Sequence, residues 1–224
     1  MVAAVIVAAG SGVRMGREVD KLFLEVKGLP VVGHAWAAFD SHQLINEVVI
    51  VIRDDAREDF EKLAARLKPT KPYHLVSGGH ERQDSVRNGI TAISGECEIV
   101  AIHDGARPCV DSEIITQTIE AAQKNGASVA AARIVDTIKL SDGQGRISQN
   151  VDRTHLWSVQ TPQVFKVDTI VRAMEAVDSD KISVTDDTGA CELIGQPVVL
   201  VQSKRPNPKV TTNADLAFVT FLFQ

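Results

Sequence analysis

The run Ala8-Ala9-Gly10-Ser11-Gly12-Val13-Arg14-Met15-Gly16, with Arg17 and Lys21 just beyond, combines glycines with three cations. Glycines at a strand end let backbone N–H groups approach phosphate oxygens closely. Two or three cations beside them suit a triphosphate, whose charge backbone dipoles alone neutralise poorly. The spacing is not that of a dinucleotide fingerprint, because Val13, Arg14 and Met15 intervene before Gly16, and no Gly-Lys-Ser/Thr triplet offers a P-loop. An ordinary strand–helix turn with solvated arginines is the plain alternative.

The elements that must position this loop alternate along the chain. Apolar runs at Val2–Ala8, Glu47–Ile52, Tyr73–Val76, Glu98–His103, Ala127–Ala132 and Val198–Gln202 read as strands, most of them apolar throughout, as parallel strands covered on both faces are. Helical stripes lie between or after them: Phe60, Leu63, Ala64 and Leu67; Ile115, Ile119 and Ala122; Ile170, Val171, Met174 and Val177; Leu216, Val219 and Phe223. Such alternation implies right-handed β-α-β units in an α/β, three-layer Rossmann-like sandwich with a mostly parallel sheet. The Gly loop then falls at the carboxyl end of the first strand, where open α/β sheets bind ligands. One segment breaks the alternation. Val135–Leu140 and Arg146–Val151 flank Ser141-Asp142-Gly143-Gln144-Gly145 and read as a projecting β-hairpin arm, at about 134–155, whose apolar side chains need a partner subunit to cover them.

Composition bounds the rest. The chain has 224 residues, enough for one domain over 1–224 with a full core, and no linker or repeat interrupts it. Lys and Arg number 24 against 29 Asp and Glu, for a net charge of −5, which argues against nucleic acid or an anionic membrane as partner. No apolar run approaches the roughly 20 residues of a membrane span. The opening eight apolar residues lack the basic leader of a signal peptide and read as a buried strand. Cys97, Cys109 and Cys191 are odd in number, with no Cys-x-x-Cys pair, so a disulfide scaffold or structural zinc is disfavoured and a reducing cytosol fits.

Ala8-Ala9-Gly10-x-Gly12-x-Arg14-Met15 with a nearby lysine resembles the opening of sugar nucleotidyltransferases. Gly78-Gly79-x-x-Arg82-x-x-Ser85, His103-Asp104-Gly105-Ala106-Arg107-Pro108, Gln160-Thr161-Pro162-Gln163 and Lys209-Val210-Thr211 narrow the resemblance. Together, in order and over essentially the whole chain, they look like the 2-C-methyl-D-erythritol 4-phosphate cytidylyltransferase family of the non-mevalonate isoprenoid pathway. The Asp-x-Ala-Arg-Pro and Thr-Pro-Gln runs are its most specific parts. A ribitol 5-phosphate cytidylyltransferase, sharing most of these motifs, is the alternative. One departure stands out: the family usually has Pro-Lys-Gln around its lysine, and this chain has Asp20-Lys21-Leu22.

The resemblance implies transfer of a cytidylyl group from CTP to a sugar-alcohol phosphate, with Mg²⁺ or another divalent cation, in a cytosolic homodimer joined through the arm. It assigns catalysis to Arg14 and Lys21, nucleotide contacts to Ala8, Ala9, Gly10, Gly12, Gly79, Ser85 and Asp104, and substrate contacts to Arg107, Thr137, Arg153, Thr161 and Lys209. The attacking group is itself a phosphate, with a second pKa of about 6, so no general base is needed. Positive charge over the α-phosphorus is needed, and a guanidinium fork and an ammonium supply it. Asp104, closing its strand, can hold a hydroxyl or help to seat the cation; a plain turn aspartate before Gly105 is the bland reading. Ser85 is expected about two turns into a helix after Gly78-Gly79, and the family often has Asp where this chain has His80. For Arg107 the bland reading is an ion pair with a neighbouring acid. Thr185-Asp186-Asp187 reads as a helix cap rather than a metal pair, His103 as a packed strand-end histidine, and Trp36 and Trp157 as core or interface anchors.

Overall fold

The computed structural model describes residues 1–10, 20–180 and 182–224; Gly12 and Arg14 lie outside them. Its centre is a seven-stranded sheet. The strands are β1 (Val2–Val7), β4 (Glu47–Ile52), β5 (Tyr73–Ser77), β6 (Ile99–Asp104), β7 (Ala127–Arg133), β10 (Trp157–Lys166) and β11 (Val199–Gln202), in the order β11-β7-β10-β6-β1-β4-β5. Every neighbouring pair is parallel except the two that involve β10. The hydrophobic runs explain the centre. Ala3 to Ile6, Val48 to Ile52 and Ile99 to Ile102 are fully buried, because helices cover both faces.

Those helices are α1 (Val31–Asp40), α2 (Arg57–Leu67), α3 (Arg82–Thr91), α4 (Ser112–Asn125), α5 (Val167–Asp180), α6 (Asp187–Leu193) and α7 (Asn213–Leu222). Two apolar clusters divide the sheet faces. Trp36, Phe39, Phe60, Ile115 and Ile119 pack on Ala4, Ile6, Ile50 and Ala101, while Val86, Ile170, Met174 and Val177 pack on Val5, Val51, Val100 and Ile102. The stripe expected on α5 needs one correction. Val171 is exposed, and Ala173 takes its place beside Ile170, Met174 and Val177.

The periodicity misses α1 and β10. Helix α1 buries Val31, Val32, Gly33, Ala35, Trp36 and Phe39 on most of its circumference, so it shows no polar-apolar contrast. Strand β10 carries Pro162, which cannot donate to a ladder, and its register against β7 shifts between Val159 and Gln163. The expected arm is present as β8 (Ile138–Ser141) and β9 (Ile147–Val151), an antiparallel pair outside the main sheet. Gly143 and Gly145 turn it with φ of 80° and 82°, a region that favours glycine. A two-residue pair, β2 (Glu25–Val26) and β3 (Leu29–Pro30), precedes α1.

Helix α3 can lie against β1 and β4 only because residue 89 is glycine. A Cβ there would sit 2.5 Å from Val5 Cγ1 and 2.8 Å from Val51 Cγ2. Gly89→Ala is therefore expected to destabilise the fold by about 1–3 kcal/mol in urea titrations, although alanine favours helix; a neutral or stabilising effect would contradict this packing.

Candidate active site

Strands β1 and β6 run in parallel register with Val7 opposite Asp104, so both end at the same edge of the sheet. Ala8 continues from β1 and bonds to Val51 O at 2.7 Å, and Gly105 bonds to Val7 O at 2.9 Å. Beyond these ends opens a cleft of about 490 Å³, walled by Val7, Ala8, Ala9, Gly10, Lys21, Leu22, Gly79 to Arg82, Ser85, Asp104, Ala106, Lys209 and Thr211. The backbone passes very close beside it: a Cβ on Gly78 would lie 2.3 Å from Ala9 Cβ, and one on Gly79 would lie 2.2 Å from Asp84 Cβ. The glycine pair is thus required by space.

Ser85 lies in the first turn of α3 rather than two turns in. A capping box between Glu81 and Asp84 starts the helix there. The Ser85 hydroxyl accepts the Gly79 N–H at 3.1 Å and donates to Glu81 O at 3.2 Å, which pins the glycine corner to the helix.

Asp104 is the electrostatic centre. Its Oδ2 accepts from Lys209 Nζ at 2.8 Å; Arg82 Nε stands 3.5 Å from Oδ1 and Arg107 Nε 3.6 Å from Oδ2. Burial opposes its charge, but Arg82, Lys209 and Arg107 outweigh burial and hold the carboxyl well below the usual carboxylate range. Arg82 also bonds Asp187 Oδ1 at 2.8 Å. Asp187 is almost completely buried, and burial pushes its pKa up while Arg82 counteracts the shift. Arg82 lines the cleft, and its ion pair with Asp187 is one that the sequence does not show. Each residue stands in a motif, Gly-Gly-x-x-Arg or the Thr-Asp-Asp cap, but the pairing spans 105 residues. The cap itself is as expected, with Asp186 accepting the Gly189 N–H at 2.9 Å.

A chain of hydrogen bonds fixes the Asp104 backbone. Its N–H donates to Thr161 Oγ1 at 3.1 Å, and Thr161 Oγ1 lies 3.0 Å from His103 Nδ1. His103 Nε2 faces Arg107 O at 3.0 Å. Because a carbonyl only accepts, Nε2 carries the proton and the Thr161 hydroxyl donates to Nδ1, which gives a neutral imidazole. Asn207 Nδ2 donates to Thr161 O at 2.8 Å, Arg107 Nη1 donates to Asn207 O at 2.8 Å, and Val210 N donates to Ala106 O at 2.8 Å. These bonds dock the segment that presents Lys209.

The cleft therefore gathers Ala8, Ala9, Gly10, Lys21, Gly79, Ser85, Asp104 and Lys209 from five separate stretches of sequence. Thr161 is buried, with its hydroxyl engaged beneath Asp104, and Arg107 stands outside the cleft wall in contact with Asp104 and Asn207. Thr137 and Arg153 flank the arm strands and are not on the cleft wall of their own chain; the Arg153 guanidinium bonds the Val135 carbonyl. Among the described residues no group of three or more His, Cys, Asp or Glu forms a metal cage.

The profile of the family described as 2-C-methyl-D-erythritol 4-phosphate cytidylyltransferase matches residues 2–224. Curated relatives carrying that description include one from Pelotomaculum thermopropionicum, 41% identical over 216 residues that cover 96% of this chain and 91% of its own. Another, from Geobacillus kaustophilus, is 41% identical over 215 residues, 96% of this chain and 93% of its own. The crystal structure of 4-diphosphocytidyl-2C-methyl-D-erythritol synthase from Anaerococcus prevotii superposes with a TM-score of 0.87 at 29% identity, covering 100% of this chain and 98% of that one.

His103 makes the site sensitive to acid. Burial pulls its pKa from 6.5 to about 4. The unfolded chain takes up that proton first, so stability falls as pH drops from 6.5 towards 4. Urea titrations should lose about 2 kcal/mol to this group between pH 6.5 and 5, and His103→Asn should flatten that part of the slope. His42, also held low by burial, leaves a residual slope. An unchanged slope in the variant would show that His103 is not held neutral.

Proposed function

The chain belongs to the 2-C-methyl-D-erythritol 4-phosphate cytidylyltransferase family, and we propose that the cleft at the ends of β1 and β6 is where its reaction takes place. That reaction transfers a cytidylyl group from CTP to 2-C-methyl-D-erythritol 4-phosphate, with release of pyrophosphate, in the non-mevalonate isoprenoid pathway. One observation carries the placement: Lys21 and Lys209 face a single cleft from opposite ends of the sequence, with the buried Asp104 anion between the glycine corners.

In this reading the glycine walls of residues 8–10 and 78–79 receive the nucleotide through backbone groups, with Ser85 fixing the pyrimidine corner. Lys21, with Arg14 from outside the described residues, neutralises charge growing on the α-phosphorus. Lys209 binds phosphate while Asp104 sets its position and offers its carboxylate to a hydroxyl. The attacking phosphate arrives largely dianionic, so the protein's work is in-line placement and charge.

A magnesium ion enters this scheme as part of the substrate, carried on the triphosphate. The donor set supports that reading, since both Asp104 oxygens already face cations and magnesium characteristically keeps substrate phosphates and waters among its ligands. When bound, the ion supplies further charge neutralisation at the phosphates. Chelation is expected to stop turnover and restored Mg²⁺ to recover it.

Homodimer formation through the arm is supported by its surface. Leu140 and Ile147, on a two-stranded ribbon with little core of its own, are 55% and 69% exposed, and Val135, just before the ribbon, is 77% exposed. In such a dimer the partner's arm would deliver Thr137 and Arg153 to the cleft. Cys97, Cys109 and Cys191 are all free thiols, which suits a reducing compartment, and a cytosolic setting is part of this proposal.

Three measurements test this reading. Pyrophosphate release with CTP and Mg²⁺ is expected with methylerythritol phosphate and not with ribitol phosphate; no release with either would overturn it. Lys21→Ala should lower kcat by about 10²–10³-fold while CTP binding stays within about tenfold, because its interaction develops in the transition state. Leu140→Glu with Ile147→Glu should convert dimers to monomers in sedimentation, and persistence of dimers would remove the arm from the interface.

A further inference from the structure

The turn that carries Lys21 is fastened from both sides. Asp20 has φ −62° and ψ 122°; its Oδ1 accepts the Leu22 N–H at 3.0 Å, and its carbonyl accepts the Phe23 N–H at 2.9 Å. These bonds close the 3-10 turn Lys21–Phe23. On its inner side Leu22 is buried, and Phe23 packs edge-on against Phe60 with centroids 5.0 Å apart. On its outer side Asp20 Oδ2 accepts from Arg53 Nη1 at 2.8 Å.

Arg53 is the first residue after β4, a strand that pairs with β1 from Glu47 to Val51. Its Nη1 also reaches Gly10 O at 3.3 Å, and its Nε donates to Asp55 Oδ1 at 2.9 Å. One guanidinium therefore spans the glycine wall at residue 10 and the residue immediately before Lys21. The Asp20 carboxylate is mostly sequestered, at 13% exposure, and Arg53 at 28% is only partly open to water. A two-ended clasp of this kind restrains Lys21 relative to the wall that receives the nucleotide.

We propose that Arg53 is a positioning residue for Lys21, acting through Asp20 and Gly10, and that in this chain the Asp20–Arg53 pair does the work a proline at residue 20 would do by fixing φ. The φ of −62° is one that a proline ring adopts without strain. The inference rests on the reading of Lys21 as the transition-state cation, so its test includes that residue as a reference.

The test is steady-state kcat and KM for CTP, alongside melting temperature, for the full chain. Arg53→Ala and Asp20→Ala should each lower kcat about tenfold or more, with KM for CTP moving less than about threefold and little change in melting temperature. Asp20→Ala with Arg53→Ala should lose no more than the worse single change, because the two residues act as one unit. Asp20→Pro should keep kcat within about threefold of the unmodified chain where Asp20→Ala does not, since the ring then holds the backbone; a loss equal to that of Asp20→Ala overturns the equivalence with proline. Arg53→Gln, which keeps most of the stem, replaces the alanine variant if that fails to fold. Wild-type kcat in Arg53→Ala while Lys21→Ala is inactive overturns the clasp alone. Normal turnover in Lys21→Ala overturns both the reading of the lysine and the clasp. Additive losses, or losses that track a lowered melting temperature, also overturn it, because Arg53 would then support the fold without placing the lysine.

Discussion

An anion buried at a strand end is expensive unless cations surround it, and Asp104 is surrounded by three. Much of the site follows from that one requirement. Lys209 reaches Asp104 only because the segment around Asn207 and Val210 is docked on Ala106, Arg107 and Thr161. Arg82 reaches it from the first turn of α3, and its other end must satisfy Asp187, which ties α6 into the same network. Removing Arg82 would leave the buried Asp187 without its cation, at a cost of about 3–5 kcal/mol. The residues that shape the cleft are thereby also residues that close the fold.

This coupling explains how an acidic protein can handle two phosphorylated substrates. A net charge of −5 gives no general attraction for anions. The cations near the cleft are instead placed singly, and several are fixed by carboxylates: Lys209 and Arg82 by Asp104, Arg82 again by Asp187, and Arg53 by Asp20 and Asp55. The acidic residues thus act locally as holders of positive charge. The ordinary composition and the specialised site are compatible for that reason.

The parallel core was legible because its strands are buried on both faces and read as unbroken apolar runs. The Gly corners and Lys21 were legible because close approach and charge leave residue-type signatures. Other parts were not. Helix α1 is too uniformly apolar to show a period, and β10 is obscured by Pro162 and by polar Gln160, Thr161 and Gln163; the Thr161 hydroxyl holds Asp104 and the Gln163 amide holds the start of α6. The Arg82–Asp187 pair lies beyond any local pattern, because its members meet only after the sheet has assembled. Thr161 illustrates the same point: its hydroxyl is engaged between Asp104 and His103, a tertiary arrangement that no local pattern shows.

Strand β10 is the single reversed strand of the sheet, inserted between β6 and β7. Because β7 runs with β6, the chain leaves β7 at the cleft edge and re-enters through β10 at that same edge. Everything between Ile134 and Leu156 is therefore an excursion with adjacent roots, joined by the bond from Ile134 N to Leu156 O. Lengthening or shortening the ribbon would leave the register of every sheet strand intact, and each added pair of residues per strand would move its tip by about 6–7 Å. The reach of the ribbon can thus vary among descendants of this fold while the arrangement of residues at the sheet edge stays fixed.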